Sequence, residues 1–199
     1  MPKRRNNQRR PLTATELNEV GAIWCSTGND PELDCLLFEF HRKTGARREG
    51  GINLRLANLD EDRAAVNLTE KFGKTRELPL DLDFIDRLRA FAQSRGAVFP
   101  SDCVFRSKTS TSITRKRYEM IYNRIDQHTT WSEKLNIGVH WIRHTTLDDV
   151  RTVADQRVAA SYAGHDDESG DTINRYNKVD FEERCAAFEA IFGGRFNRR

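Results

Sequence analysis

Apolar positions along this chain recur mostly with the spacing of helices, and only one stretch switches to the alternation expected of strands. Thr13-Ala14-Thr15-Glu16 has capping-box spacing and opens a helix through about Cys25. Asp30-Pro31 opens a second helix, with Cys35, Leu36, Phe38 and Phe40 as much of its apolar content, and Thr44-Gly45 closes it. A short helix carrying Arg47 is expected next. From about Arg63 to Leu80 the pattern reads as a hairpin, two short strands around a Phe72-Gly73 turn. Leu82 to Phe91 returns to helical period and should end near Gly96, and Ser112 through about His128 reads as another helix. Further helices are expected near residues 141–152, 155–163 and 180–192, with no internal repeat. The fold class predicted is α+β, mostly helical with a small antiparallel sheet.

Composition narrows the class without deciding it. The 199 residues suffice for one domain with a real core. Cys25, Cys35, Cys103 and Cys185 are far apart with no C-x-x-C pair, so neither a zinc site nor a disulfide framework is suggested, and all four are expected as buried thiols in a reducing compartment. No apolar run follows the basic amino terminus and none reaches the length of a membrane span, which predicts a soluble, cytoplasmic protein.

A net charge of +3 argues for no partner, but its distribution does. Residues 1–10 hold five basic and no acidic side chains, which leaves the body slightly acidic. This segment reads either as a disordered tail or as a phosphate-contacting arm. A second cluster, Arg106, Lys108, Arg115, Lys116 and Arg117, lies in a carboxylate-free stretch rich in Ser and Thr that suits DNA phosphates. The alternative for it is a solvated loop.

Three further segments carry the chemistry: Thr44-Gly45-Ala46-Arg47, His140-Trp141-Ile142-Arg143, and Gly164-His165 followed by Tyr176. A phenol attacking a phosphodiester needs the charge on five-coordinate phosphorus absorbed, and two guanidiniums can each grip a non-bridging oxygen bidentately. Histidine near its ordinary pKa can take the phenolic proton or bond a phosphate oxygen. His140 and Arg143 are three apart at a helix start, with His144 at i+4 on the same side. His144 more often orients neighbours than reacts, and His41 and His128, with no motif around them, are expected on helix surfaces. Tyr118, Tyr122 and Tyr162 are expected simply to bury their rings, and Tyr176 is the candidate nucleophile because it alone follows Gly-His at short range. The acidic loop Asp166-Asp167-Glu168-Ser169-Gly170-Asp171 reads as solvated, and no metal or other cofactor is expected.

In this order the segments resemble the boxes of the tyrosine recombinases, the phage integrase family. Thr44-Gly45-Ala46-Arg47-Arg48 is similar to its first-arginine box, His140-Trp141-Ile142-Arg143-His144-Thr145 to its HxxR-H-T box, and Ala163-Gly164-His165 with Arg175-Tyr176 to its final box. Leu78-Pro79-Leu80 resembles the end of its lysine-bearing hairpin, which aligns Lys71 with that lysine and leaves Lys74 as the competitor.

The resemblance implies a catalytic domain over residues 11–199, without the family's amino-terminal core-binding domain, acting as a site-specific recombinase or integrase on double-stranded DNA. Tyr176 would attack, Lys71 would protonate the departing 5′ oxygen, His140 would act as base, and Arg47, Arg143 and His165 would hold the phosphate. Four protomers on two duplexes are implied, in a metal- and ATP-independent reaction. The alternatives are a type IB topoisomerase-like relaxation activity, a catalytically impaired DNA-binding remnant, and an accessory partner of a full-length recombinase. One departure stands out: Gly50 sits where many members carry a glutamate, with Glu49 just before it. Phe181 through Phe192 reads either as a last core helix or as a segment that docks on a neighbouring protomer.

Overall fold

The structure is a computed structural model and describes residues 10–69, 75–132, 135–164 and 179–196. Its first helix, α1 (Ala14–Ser26), starts at the expected capping box: the Thr13 hydroxyl accepts from the Glu16 N–H, and the Glu16 carboxylate accepts from the Thr13 N–H. α2 (Pro31–Thr44) begins with Pro31 in its first turn and stops at Gly45, whose φ of 57° is the left-handed conformation that only glycine adopts cheaply. Arg47 is not inside the next helix but caps it, one residue ahead of α3 (Arg48–Ile52).

The hairpin forms as β2 (Ala65–Thr69) and β3 (Thr75–Pro79), antiparallel, with Ala65 opposite Pro79 and Thr69 opposite Thr75. A two-residue strand, β1 (Leu59–Asp60), adds to its edge with Leu59 opposite Val66, giving the order β1-β2-β3. Lys71, Lys74 and the hairpin turn lie outside the described residues.

α4 (Leu82–Ser94), α5 (Arg115–His128), α6 (Val139–Val153), α7 (Gln156–Ala163) and α8 (Phe181–Phe192) complete the chain. The mostly helical α+β class with a small antiparallel sheet is what the pattern predicts. α5 starts three residues later than expected, because Ser112 is held in a bridge with Arg106 and the Ile113 N–H donates to the Phe105 carbonyl.

One apolar core joins these elements, built around fully buried Trp24, Phe40, Phe84, Phe105, Tyr118, Tyr162 and Phe188. α8 packs on its own chain, against β3, α6 and α7, with the Phe188 ring tilted against Phe192 and edge-on to Phe196. It is thus a core helix of this protomer. No helix among the described residues is long and apolar enough to cross a membrane.

Two expectations fail. His41 is not on a helix surface but wholly buried, since α5 packs Tyr118 over that side of α2. Cys35 is exposed and Cys25 half-buried; only Cys103 and Cys185 are buried, and all four are free thiols. Burial pushes the Cys185 thiol up to about 12.

Candidate active site

Three segments far apart in sequence meet at one side chain. Arg143, on α6, is nearly inaccessible to solvent, and its Nη1 donates to the Gly45 carbonyl (2.5 Å) while its Nη2 donates to the Ala163 carbonyl (2.7 Å). Those carbonyls immediately precede the Ala46-Arg47 and Gly164-His165 pairs. The fork of the guanidinium therefore ties the first-arginine loop to the end of α7, a task for which a lysine's single ammonium is poorly shaped.

The end of α7 explains why two arginines gather there. A helix leaves its last four carbonyls without intrahelical partners. The Gly164 N–H, in left-handed conformation, bonds the Ala160 and Ser161 carbonyls; Arg76 Nη1 takes the Tyr162 carbonyl and Arg143 takes that of Ala163. Two buried cations also sit favourably at the negative end of the helix dipole. Gly164 has φ 69°, a left-handed conformation that strains other residues, and a β-carbon there would press on Arg76 Cδ at 3.0 Å, so both the backbone and the packing favour glycine.

Arg76 is the residue that sequence reasoning missed. It lies on β3, in the Lys74-Thr75-Arg76 run, and its signal was a charged position on the alternate face of the strand that Leu78 and Leu80 otherwise fill. It joins the strand that leads out of the hairpin turn to the helix that leads into His165.

The loop before Arg47 is built from local chemistry. The Thr44 hydroxyl donates to the Phe40 carbonyl and accepts from the Ala46 N–H. Thr146, on α6, donates to the Arg42 carbonyl at 2.8 Å, and Arg42 pairs with Asp149 at 2.5 Å, so α2 and α6 hold the loop between them. Arg47 emerges half-buried. Glu49 lies against Arg48 and Arg115.

His140 stands exposed in the first turn of α6, with the half-buried His144 ring 5.8 Å away centre to centre, as the i,i+4 spacing requires. The Val139 N–H at that helix start is accepted by the Tyr122 hydroxyl. Arg47 is thus presented by the loop after α2, and His140 and Arg143 by α6, which the Arg143 fork joins to that loop. His165, Arg175, Tyr176 and the acidic loop lie outside the described residues, as does the basic segment 1–9.

The second basic cluster divides. Arg117 is turned inward onto Asp34 (2.7 Å), Asn29 and the Asp30 carbonyl. Arg106 donates to the Arg95 and Ser110 carbonyls and Lys108 to that of Asn29. Arg115 and Lys116 are exposed in the first turn of α5. Arg115 reaches Glu49, so four of the five make contacts within the protein, because loop-end carbonyls, Asp34 and Glu49 compete for their donors.

Comparison with known proteins bears on the family and the fold. The chain is 29% identical over 169 residues to tyrosine recombinase XerD of Vibrio vulnificus (strain YJ016), covering 80% of this chain and 54% of that protein. It spans about half the length of the curated relatives it matches. Among solved structures, its fold is similar to an integrase from mycobacterium phage Brujita, with a TM-score of 0.66 at 14% identity over 100% of this chain and 63% of that one. It is also similar to XerA recombinase, with a TM-score of 0.59 at 18% identity over 94% and 66% of the two chains. The phage integrase family itself matches over residues 10–183. Since that span takes in the Arg47 loop, α6 and the end of α7 together, the chain belongs to the phage integrase family, the tyrosine recombinases.

Proposed function

We propose that this chain supplies the catalytic domain of a site-specific DNA recombinase or integrase, which cleaves and rejoins strands through a 3′-phosphotyrosine. The observation that carries the reading is the Arg143 fork, which brings the first-arginine loop and the end of α7 to one buried point. Double-stranded DNA is the substrate, and the 29% identity to XerD supports it. A solved relative, the Tn1549 transposon integrase, is described in complex with transposon right end DNA.

In this mechanism Tyr176 Oη attacks phosphorus, the bond to the 5′ oxygen breaks, and Lys71 delivers a proton to that oxygen. His140 accepts the phenolic proton, and Arg47, Arg143 and His165 neutralise the charge that develops on the non-bridging oxygens. The phosphodiester energy stays in the phosphotyrosine, so a 5′ hydroxyl from another strand reverses the step with neither ATP nor a metal ion. Strand exchange requires more than one protomer, and we assign the active form as a homotetramer on two duplexes.

The test is to incubate the protein with a labelled, nicked duplex containing a candidate recombination site and look for a denaturation-resistant protein–DNA adduct. Formation of the adduct by the wild type and its loss in Tyr176→Phe supports the reading. Binding at low salt with no adduct on a validated site replaces it with a DNA-binding remnant or accessory subunit.

A further inference from the structure

We propose that His41 and Tyr118 are positioning residues for Arg47: a buried hydrogen-bonded pair that fixes the peptide plane from which the arginine emerges. The inference rests on the catalytic reading above.

His41 is completely buried on α2, and both ring nitrogens have partners: Nδ1 lies 3.0 Å from the Ala46 carbonyl and Nε2 lies 2.8 Å from the Tyr118 hydroxyl. A carbonyl oxygen can only accept, so Nδ1 carries the proton, and the neutral ring then offers the Nε2 lone pair to the Tyr118 O–H. The tautomer is set by its neighbours. The Ala46 carbonyl shares a rigid, planar peptide unit with the Arg47 N–H, so holding that oxygen fixes where the Arg47 Cα starts and in which direction it faces.

The surroundings leave little slack. The Tyr118 ring is fully buried, edge-on to His41 and to Trp24. Gly51, in α3, comes so close that a β-carbon there would stand 3.0 Å from His41 Nε2 and collide with the Tyr118 hydroxyl. Burial lowers the His41 pKa to about 4 and raises that of Tyr118 well above its usual value, so both groups keep the neutral forms this bonding needs at neutral pH. The pair also couples α5, whose first turn exposes Arg115 and Lys116, to the Arg47 loop.

The experiment compares wild type, His41→Leu, His41→Asn and Tyr118→Phe on the labelled nicked duplex, measuring duplex affinity, the rate of adduct formation at saturating DNA, and hydrogen exchange of the amides of residues 44–51. A misplaced phosphate ligand slows the chemical step by about tenfold to a hundredfold. We expect that loss in His41→Leu, a smaller one in Tyr118→Phe, and near-unchanged affinity in both. Asn can present an N–H where Nδ1 stood, so His41→Asn should recover most of the rate even where its melting temperature stays low. Rates that follow melting temperature alone, or full activity in a folded His41→Leu or Tyr118→Phe, overturn the proposal. Should wild type itself form no adduct, the catalytic reading fails separately. The exchange data then decide this inference: faster exchange in His41→Leu that His41→Asn reverses supports it, and unchanged exchange overturns it. If His41→Leu does not fold, Tyr118→Phe, which removes a single hydroxyl, decides in its place by the same rate and exchange measurements.

Discussion

Arg143 Nη2 bonds the Ala163 carbonyl at 2.7 Å, so an arginine of α6 completes the cap of α7. A residue expected to grip phosphate thereby also holds the scaffold from which His165 departs. Both demands fall on one fork of donors, and they make different predictions for its substitutions.

Arg143→Ala removes the partner of two buried carbonyls. The expected loss is about 2–4 kcal/mol of folding stability, read by urea unfolding, together with loss of the DNA adduct. Arg143→Lys keeps a charge but cannot bridge both carbonyls, so it should recover part of the stability and little of the adduct.

His41 makes the fold sensitive to mild acid. Its folded pKa is lowered to about 4 from 6.5, because burial penalises the charged ring more than the Ala46 bond favours it. Between those values the unfolded chain binds a proton that the folded chain does not. Stability is therefore full above pH 6.5 and falls as pH drops towards 4, by up to about 3 kcal/mol. Urea unfolding at pH 7 and pH 4.5 should show this loss in wild type and a clearly smaller one in His41→Asn. Glu16 acts in a lower window: Arg10 holds it at about 2, against its usual 4.5, so its contribution is present above 4.5 and is lost only as pH falls from there towards 2.

Arg117 and Lys116, adjacent in sequence, should behave oppositely. Asp34 is fully buried between Arg117 and Arg124, each at 2.7 Å, and Arg117→Ala removes half of its compensation. We expect Arg117→Ala to cost about 3 kcal/mol of stability. Lys116→Ala should leave unfolding unchanged and lower the salt dependence of DNA binding by about one phosphate contact. Denaturation curves and a salt titration of duplex affinity separate the two.

Phe188 reports where α8 sits. It is fully buried, with Phe192 and Phe196 at 5.0 and 5.3 Å and the Lys43 ammonium 5.2 Å from its ring. Phe188→Ala should destabilise the monomer by about 3–5 kcal/mol in thermal or urea unfolding. A near-neutral result would mean that α8 does not rest on its own chain in solution.

What the sequence determined by itself was local. The capping box at Thr13, Pro31 at the start of α2 and Gly45 at its end act within a few residues of where they are written, so these boundaries could be read directly. The order of the Arg47, Arg143 and Gly164 segments was equally legible, because their residue types are uncommon together. Tertiary structure alone decided what those side chains touch. His41 reads like any polar helix position until Tyr118, 77 residues away, closes over it. Arg117 looks like a DNA contact until Asp34 claims it across 83 residues, and Arg76 looks like a hairpin charge until the α7 carbonyls require a donor. The physical reason is common to all three. Hydrophobic period and caps are properties of one segment, whereas a buried polar group must find its partner wherever the packing of distant segments leaves one.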